Sequence, residues 1–262
     1  MTIWQNVGIA LRALRVNKLR STLTMLGIII GVAAVITMVA VGAGAQMRVA
    51  EQIRSLGANL IIARSGSVNS GGVRLGIGSR LTVTEDDATA IERNLDSVQV
   101  VAPSVRGTVQ VVYGNLNWST GIQGVTAEYF EARDWPVEVG RPVLQEDVDG
   151  ATKVALLGQT TALNLFGDAD PIGQIIRIKK VPFTVVGLLS RKGQNSWGQD
   201  QDDVILVPLS TAKKKVLGVS QANARSVGSL MVQAVGPHAM DEAETEMRAL
   251  LRTSSIMSRS PP

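Results

Sequence analysis

The stretch from Ser21 to Met47, STLTMLGIIIGVAAVITMVAVGAGAQM, carries no charged residue. An apolar helix needs about 20 residues to cross the hydrocarbon of a bilayer, and core helices of that apolarity are usually shorter. The run is therefore long enough to span. A buried core helix is one competing reading. A secretory signal peptide is the other, because basic residues come first and Ala43-Gly44-Ala45 has the small-x-small form of a cleavage site. The apolar part from Leu23 to Ala45 exceeds the about 7 to 15 residues of a signal h-region, which favours an uncleaved anchor. Arg12, Arg15, Lys18 and Arg20 precede the run with no acid among them, so a cytoplasmic N-terminus is expected. Arg48, Arg54 and Arg64 follow, with Glu51 between them, and make the local asymmetry small. Large domains translocate largely regardless of charge, so the long remainder is expected outside the cytoplasm.

The formal charge of +4 is accounted for by the four basic residues before the run, and beyond them acids and bases are equal in number. A nucleic-acid partner is therefore not expected. Lys213-Lys214-Lys215 is the only basic cluster, and such a triplet is more often a solvated helix end. With no cysteine in the chain, disulfide and thiolate-metal frameworks are excluded. Ahead of the run, Ile3, Val7, Ala10, Leu11 and Leu14 fall on one helical face. They predict an amphipathic helix over residues 1–20, lying on the cytoplasmic surface with Trp4 at interfacial depth; the plainer alternative is a basic topology signal.

After Met47 the helix is expected to leave the membrane and stop at Gly57, with a strand at Asn59 to Ala63. SGSVNSGGVRLGIGS has phosphate-loop glycines but no Gly-Lys-Ser/Thr after them, so it reads as a loop. Thr84 opens T-E-D-D, a capping box for a helix to about Leu95. SVQVVAP and GTVQVVYG read as strands around a turn. KVALLG predicts a strand feeding the helix QTTALNLFG, and IIRIKKVPFTVVGLL two strands around Lys179 to Pro182. VILVPL reads as a strand ended by Pro208, with Ser210 capping a helix to about Leu217. SLMVQAV is the last strand, and Met240, Ala243, Met247, Leu250 and Leu251 stripe a final helix. The whole is α+β: a single N-terminal spanning helix, then a mixed α/β domain of two subdomains.

Little catalytic chemistry is legible. The single histidine, His238, follows Gly236-Pro237 at a strand-to-helix turn and reads as a solvated loop residue. Glu146, Asp147 and Asp149 resemble any polar turn, and Asp168 and Asp170 in GDADPIG serve turn formation. A nucleophile needs a positioned base, for which the chain has little material. No catalytic, cofactor-binding or metal-binding residue is assigned.

NKLRSTLTMLGIIIGVAAVI, LGANLIIA, GVTAEYFEARDWPVEVGR and KVALLGQTTALNLFGDADPIGQIIRIKKVPFTVVGLLSRKGQNSWGQDQDDVILVPLST resemble, in order and spacing, the permeases of the MacB/FtsX-like ABC transporters. The resemblance implies an amphipathic helix at 1–20, a transmembrane helix at 21–47 and a periplasmic core domain at 48–262 in a bacterial inner membrane. It further implies a cytoplasmic ABC ATPase subunit whose cycle moves the periplasmic domains, and no catalysis by this chain. A periplasmic adaptor, an exit duct and a second permease copy are the partners it suggests. Family substrates include macrolides, peptides and lipoproteins. In that pattern Arg12, Arg15, Lys18 and Arg20 would meet the membrane and the ATPase. An ATP-binding domain ahead of residue 1 and three closing transmembrane helices after RALLRTSSIMSRSPP are missing from the pattern. The alternatives are then a separate ATPase with a truncated permease, or a single-span anchored binding or scaffold protein.

LSRKGQNSWGQDQDDV is too polar and glycine-rich to form a core and predicts an exposed loop. Its Trp197, with Gln199, Asp202 and Asp203 around it, is a candidate partner contact, because tryptophan is enriched where interfaces concentrate binding energy. The alternative has Trp197 packed on its own domain and the acids capping a turn.

Overall fold

The computed structural model describes residues 16, 18–55, 59–65, 69–70, 73–74, 83–195, 198–218 and 224–257. Residues 1–15 and 17 of the predicted amphipathic helix, Arg12 and Arg15 among them, lie outside the described residues, as do most of the Gly/Ser stretch and Trp197. The chain divides into two compact units, Met1–Gln52 and Ile53–Pro262.

The first unit is built on helix α1 (Lys18–Ser55). Its Lys18–Met47 stretch is long and apolar enough to cross a membrane, and none of that stretch is buried. Three of its hydroxyls are satisfied from within. Thr22, Thr24 and Thr37 donate to the carbonyls of Lys18, Arg20 and Ala33 at 2.8, 2.9 and 2.8 Å, so none depends on water for a partner.

In the second unit the strands are β1 (Leu60–Arg64), β2 (Asn69–Ser70), β3 (Val73–Arg74), β4 (Val83–Thr84), β5 (Val98–Tyr113), β6 (Leu116–Val125), β7 (Val137–Gly140), β8 (Val154–Leu157), β9 (Ile175–Ile178), β10 (Val181–Leu189), β11 (Val204–Pro208), β12 (Ser226–Val227) and β13 (Ser229–Ala234). The helices are α2 (Glu85–Asn94), α3 (Tyr129–Ala132), α4 (Gln145–Asp149), α5 (Gln159–Phe166), α6 (Leu209–Thr211), which runs into a π-helical turn at Ala212–Leu217, and α7 (Met240–Met257).

Strand β5 organises the unit. Its first part, Val98 to Ser104, pairs antiparallel with β13, which pairs antiparallel with β1. From Val105 to Tyr113 its ladder is with β6 instead. The turn expected between SVQVVAP and GTVQVVYG is absent; one strand runs through. Pro103 cannot donate a ladder hydrogen bond, and it sits where β6 has not yet begun to pair. Pro182 follows the same rule. Expected in a turn, it lies in β10 opposite Arg177, two residues before β8 joins at Thr184. The turn itself is Lys179-Lys180, both left-handed at φ 47° and 70°, as a two-residue hairpin of the favoured twist requires.

Strands β5, β6, β11, β8, β10 and β9 close into a ring, because β9 pairs both β10 and β5. Closure removes the open edges that sheets otherwise expose. The inward positions are apolar and alternate along each strand: Val109 and Val111, Ile122, Ile205 and Val207, Ala155 and Leu157, Phe183 and Val185, Ile176 and Ile178, all buried in one cluster. Helix α5 touches β5, β6, β10 and β11, and adds Ala162, Leu165 and Phe166 to that cluster. The opposite faces, with Leu156, Leu206 and Leu189, form a second cluster with Tyr129 and Trp135.

Beside the ring, β1, β13 and the first part of β5 carry α2 and α7. Thr84 and Asp87 form the expected capping box, with Asp87 N–H donating to Thr84 Oγ1 at 3.1 Å and Thr84 N–H to Asp87 Oδ2 at 2.8 Å. Ala243 and Met247 of the predicted stripe are buried. Ser210 is not a cap: its hydroxyl donates to the Val148 carbonyl, and the helix starts after Pro208. Lys213 is not a solvated helix end either. It is buried, its Nζ 2.6 Å from Glu85 Oε1, because the π-helical turn rotates it toward the start of α2 while Lys214 and Lys215 stay exposed.

Candidate functional site

The polar loop after β10 is held by its own acids. Asp202 is 2% exposed, and its carboxylate accepts the Lys192 N–H at 2.8 Å and the Gly193 N–H at 2.9 Å. Asp203 Oδ1 accepts from Trp118 Nε1 at 2.8 Å and from Thr161 Oγ1 at 3.1 Å. Asp200 Oδ2 accepts from Thr160 Oγ1 at 2.6 Å. The acids thus fasten the loop to the first turn of α5, where the helix dipole favours negative charge. Gly158 makes the approach feasible, since a Cβ there would stand 2.2 Å from the Asp202 carbonyl oxygen. Asp202 and Asp203 are thus held within the fold of the loop, and of the described loop candidates Gln199 is the exposed one. It closes the loop tip, where Asn195 N–H donates to the Gln199 carbonyl at 2.9 Å and Gln199 N–H to Asn195 Oδ1 at 3.0 Å. Lys18 and Arg20 are exposed near the start of α1.

The aromatic that anchors the loop is Trp135, which sequence reasoning missed as a site residue. It is buried and donates from Nε1 to the Ser190 carbonyl at 2.8 Å. Lys192 Nζ lies 5.4 Å and Arg133 Cζ 5.8 Å from its ring, within cation–π reach. Burial, with the nearby Arg133 charge, pulls the Lys192 amine down to about 8. Its ammonium donates to the Arg133 carbonyl at 2.8 Å.

Between this loop, β1, α3 and the β5–β6 ladder lies a polar cleft of about 700 Å³. Arg64, Arg106 and Arg133 line it, with Gln123, Tyr129, Gln201 and Asp203. Burial pushes the Tyr129 phenol up, against the pull of Arg133 and Arg106 and of its hydrogen bond to Gln123 Oε1 at 3.2 Å. The phenol is thus a neutral donor. Arg133 donates from an Nη to Gln201 Oε1 at 2.8 Å.

Two of the carboxylates weighed in the sequence, Asp147 and Asp170, serve local structure. Asp147 closes the first turn of α4 from Leu144 N–H and meets Arg141 at 2.6 Å and Thr152 Oγ1 at 2.7 Å. Partial burial would raise its carboxyl, but these donors together hold it below the usual value. Asp170 Oδ1 accepts the Ile172 N–H at 2.9 Å in a turn, and His238 is exposed in a 3₁₀ turn at Pro237–Ala239. Among the described residues no three His, Asp or Glu side chains gather as a metal site.

Residues 21–250 match the MacB-like periplasmic core domain family. The chain is 46% identical over 215 residues to a macrolide export ATP-binding/permease protein MacB of Syntrophobacter fumaroxidans, covering 82% of this chain and 30% of that protein. The MacB protein of Chlorobaculum tepidum is 43% identical over 209 residues, covering 80% and 32%. The chain thus spans about a third of the length of these relatives. In fold it is similar to the periplasmic region of MacB from Actinobacillus actinomycetemcomitans, with a TM-score of 0.63 at 24% identity over 78% of this chain and 87% of that one. It is similar also to the extracellular domain of the noncanonic ABC-type transporter YknZ from Gram-positive bacteria, at TM-score 0.57 and 19% identity over 74% and 94%. An apolar helix followed by a closed mixed-sheet ring and a flanking helix-covered sheet, in a sequence matched over nearly its whole length, places this chain in the MacB-like periplasmic core domain family.

Proposed function

We propose that the chain is the anchor and core portion of a permease subunit in an ABC-type export system. α1 seats it in the bacterial inner membrane with the N-terminus cytoplasmic, and the domain beyond it stands in the periplasm. A separate cytoplasmic ATPase supplies the energy, and its conformational cycle is passed to the core domain. The supporting observation is the combination, in one chain, of this family's core domain with an apolar helical stretch of which none is buried. Helix α1 runs without interruption from Lys18 to Ser55, so movement at its start has a continuous backbone to follow. In this reading residues 1–20 form the cytoplasmic element, 21–47 the membrane element and 48–262 the core. Arg12, Arg15, Lys18 and Arg20 contact anionic headgroups and the ATPase. Trp197, with Gln199, Asp202 and Asp203 around it in the sequence, meets an adaptor or a second permease copy.

Two measurements test this. A reporter fused after Gly72 is expected to be active in the periplasm with the apolar run still attached; a mature N-terminus at Gln46 overturns the anchor. The ATPase is expected to co-purify with the chain, and changing Arg12, Arg15, Lys18 and Arg20 to Glu weakens that association. If no ATPase associates and nucleotide changes nothing, the chain is a single-span scaffold instead.

A further inference from the structure

Lys213 is 6% exposed, and its Nζ stands 2.6 Å from Glu85 Oε1, on a side chain that is 34% exposed. Taking an ammonium out of water costs about as much as such a pair returns, and an apolar side chain of similar volume often serves stability as well or better. What the ion pair adds is direction, because it holds one partner in one place. Its two ends belong to different parts of the domain. Glu85 is the first residue of α2, which lies on the three-stranded sheet, and the helix dipole there favours a carboxylate. Lys213 belongs to the π-helical turn Ala212–Leu217, whose Ala212 and Val216 are buried in the same cluster as the inward residues of the ring. That turn is pinned twice more from the ring side. Lys179, in the turn between β9 and β10, donates from Nζ to the Val216 carbonyl at 3.2 Å. Leu217 packs so closely on Gly107 that no Cβ fits there, and Gly107 lies just past Val105, where the β5–β6 ladder begins.

We infer that the Lys213–Glu85 pair is a clamp that fixes the rotation of the three-stranded sheet against the ring about β5. A strand running through both parts resists bending, but rotation about its own axis is the softer motion, since the twist between neighbouring strands ranges over about −10 to −35°. The apolar packing around the pair is non-directional and by itself tolerates a range of rotations. Lys213 and Glu85 meet on elements packed over β5, off its axis, so their pairing opposes that motion. Release of the pair frees Lys213 to reach water as Lys214 and Lys215 do, and sheet and ring can then turn relative to each other. The clamp belongs to the core domain and does not rest on the transport reading.

Distances between spin labels, measured by pulsed electron spin resonance on the full chain in detergent, test the clamp. The chain has no cysteine, so Glu92→Cys in α2 and Asn117→Cys in β6, both exposed, give one labelled pair across the two parts. Leu163→Cys in α5, also exposed, gives with Asn117→Cys a second pair confined to the ring and its helix. Both distances are expected to be single and narrow. Lys213→Met, of similar length and without the charge, should broaden the first distance or add another, leave the ring distance as it was, and not lower the melting temperature. Glu85→Gln, at the more exposed end, should also broaden the first distance, with a fall in melting temperature because the ammonium stays buried without its carboxylate. Lys214→Met, at the exposed neighbour, should change neither distance. An unchanged first distance in Lys213→Met and Glu85→Gln, whatever their melting temperatures, would overturn the inference. So would equal broadening in Lys214→Met, or broadening of the ring distance alongside the first.

Discussion

Helix α1 and the six-stranded ring draw on the same residue types and treat them in opposite ways. Ile28, Ile29, Ile30 and Ile36 are 59–66% exposed, whereas Ile122, Ile176, Ile178 and Ile205 are 0% exposed. A contiguous apolar surface as large as that of α1 is costly in water, and a helix apolar on all sides belongs inside a large protein or a bilayer. The ring instead alternates, sending one set of side chains inward and the other to the second cluster. Apolarity alone therefore does not say where a segment resides. Period and continuity do: an uninterrupted run is suited to lipid and an alternating one to a protein interior.

The hardest way to break this contrast is to make a hole in the ring. Phe183→Ala, at 1% exposure, should lower the unfolding free energy by about 3–5 kcal/mol in urea titrations, while Leu26→Ala in α1 should leave the same transition in place. Ile29→Arg should do the reverse. It should disfavour membrane insertion by on the order of 3 kcal/mol, read as a loss of membrane-integrated chain, with the core domain's melting temperature unchanged. A smaller effect sharpens the contrast at helix ends. Helix α2 starts with the Thr84 cap and three acids in its first turn, whereas α1 has no acid in its first turn. Thr84→Ala should cost about 1 kcal/mol by thermal melting, and Thr84→Ser should recover most of it.

The smallest effect concerns Lys192, a cation half-buried on Trp135. Its folded-state value, about 8, lies below the ordinary 10.5, so the folded chain releases this proton first. Between these values the unfolded chain binds more protons, and stability should rise with pH. The Tyr129 phenol, pushed above 10, acts the other way at higher pH, so the window to read is pH 8 to 10. Lys192→Met should flatten the rise; an unaltered slope would exclude this amine as its source.

What the sequence revealed was local. The charge-free run, the Thr84–Asp87 box and the strand-to-helix step at KVALLGQTTALNLFG each depend on residues a few positions apart, and each is found as expected. What it concealed was long-range. Pro103 and Gly107 look like a turn, and only the separate pairings with β13 and β6 show why the strand continues. Lys213 reads like its neighbours until the π-helical turn brings it to Glu85. The cleft gathers Arg64, Arg106, Arg133 and Gln201 from four separate segments, so no spacing could announce it. One signal was available: Trp135 follows Arg133 and Asp134 in an otherwise tryptophan-poor chain, and a buried indole flanked by cations is worth examining.

The continuity of β5 also has a mechanical consequence. Its 16 residues extend about 53 Å at the usual rise per residue, crossing from the three-stranded sheet into the ring without a loop. A force applied at β13 reaches β6 through one backbone, and each end of that backbone is clamped by a ladder of hydrogen bonds. Bending between the two sheets must therefore strain several of these bonds together instead of rotating one or two free dihedrals. The domain is stiff along this load path, and displacement at one end arrives at the other with little slack.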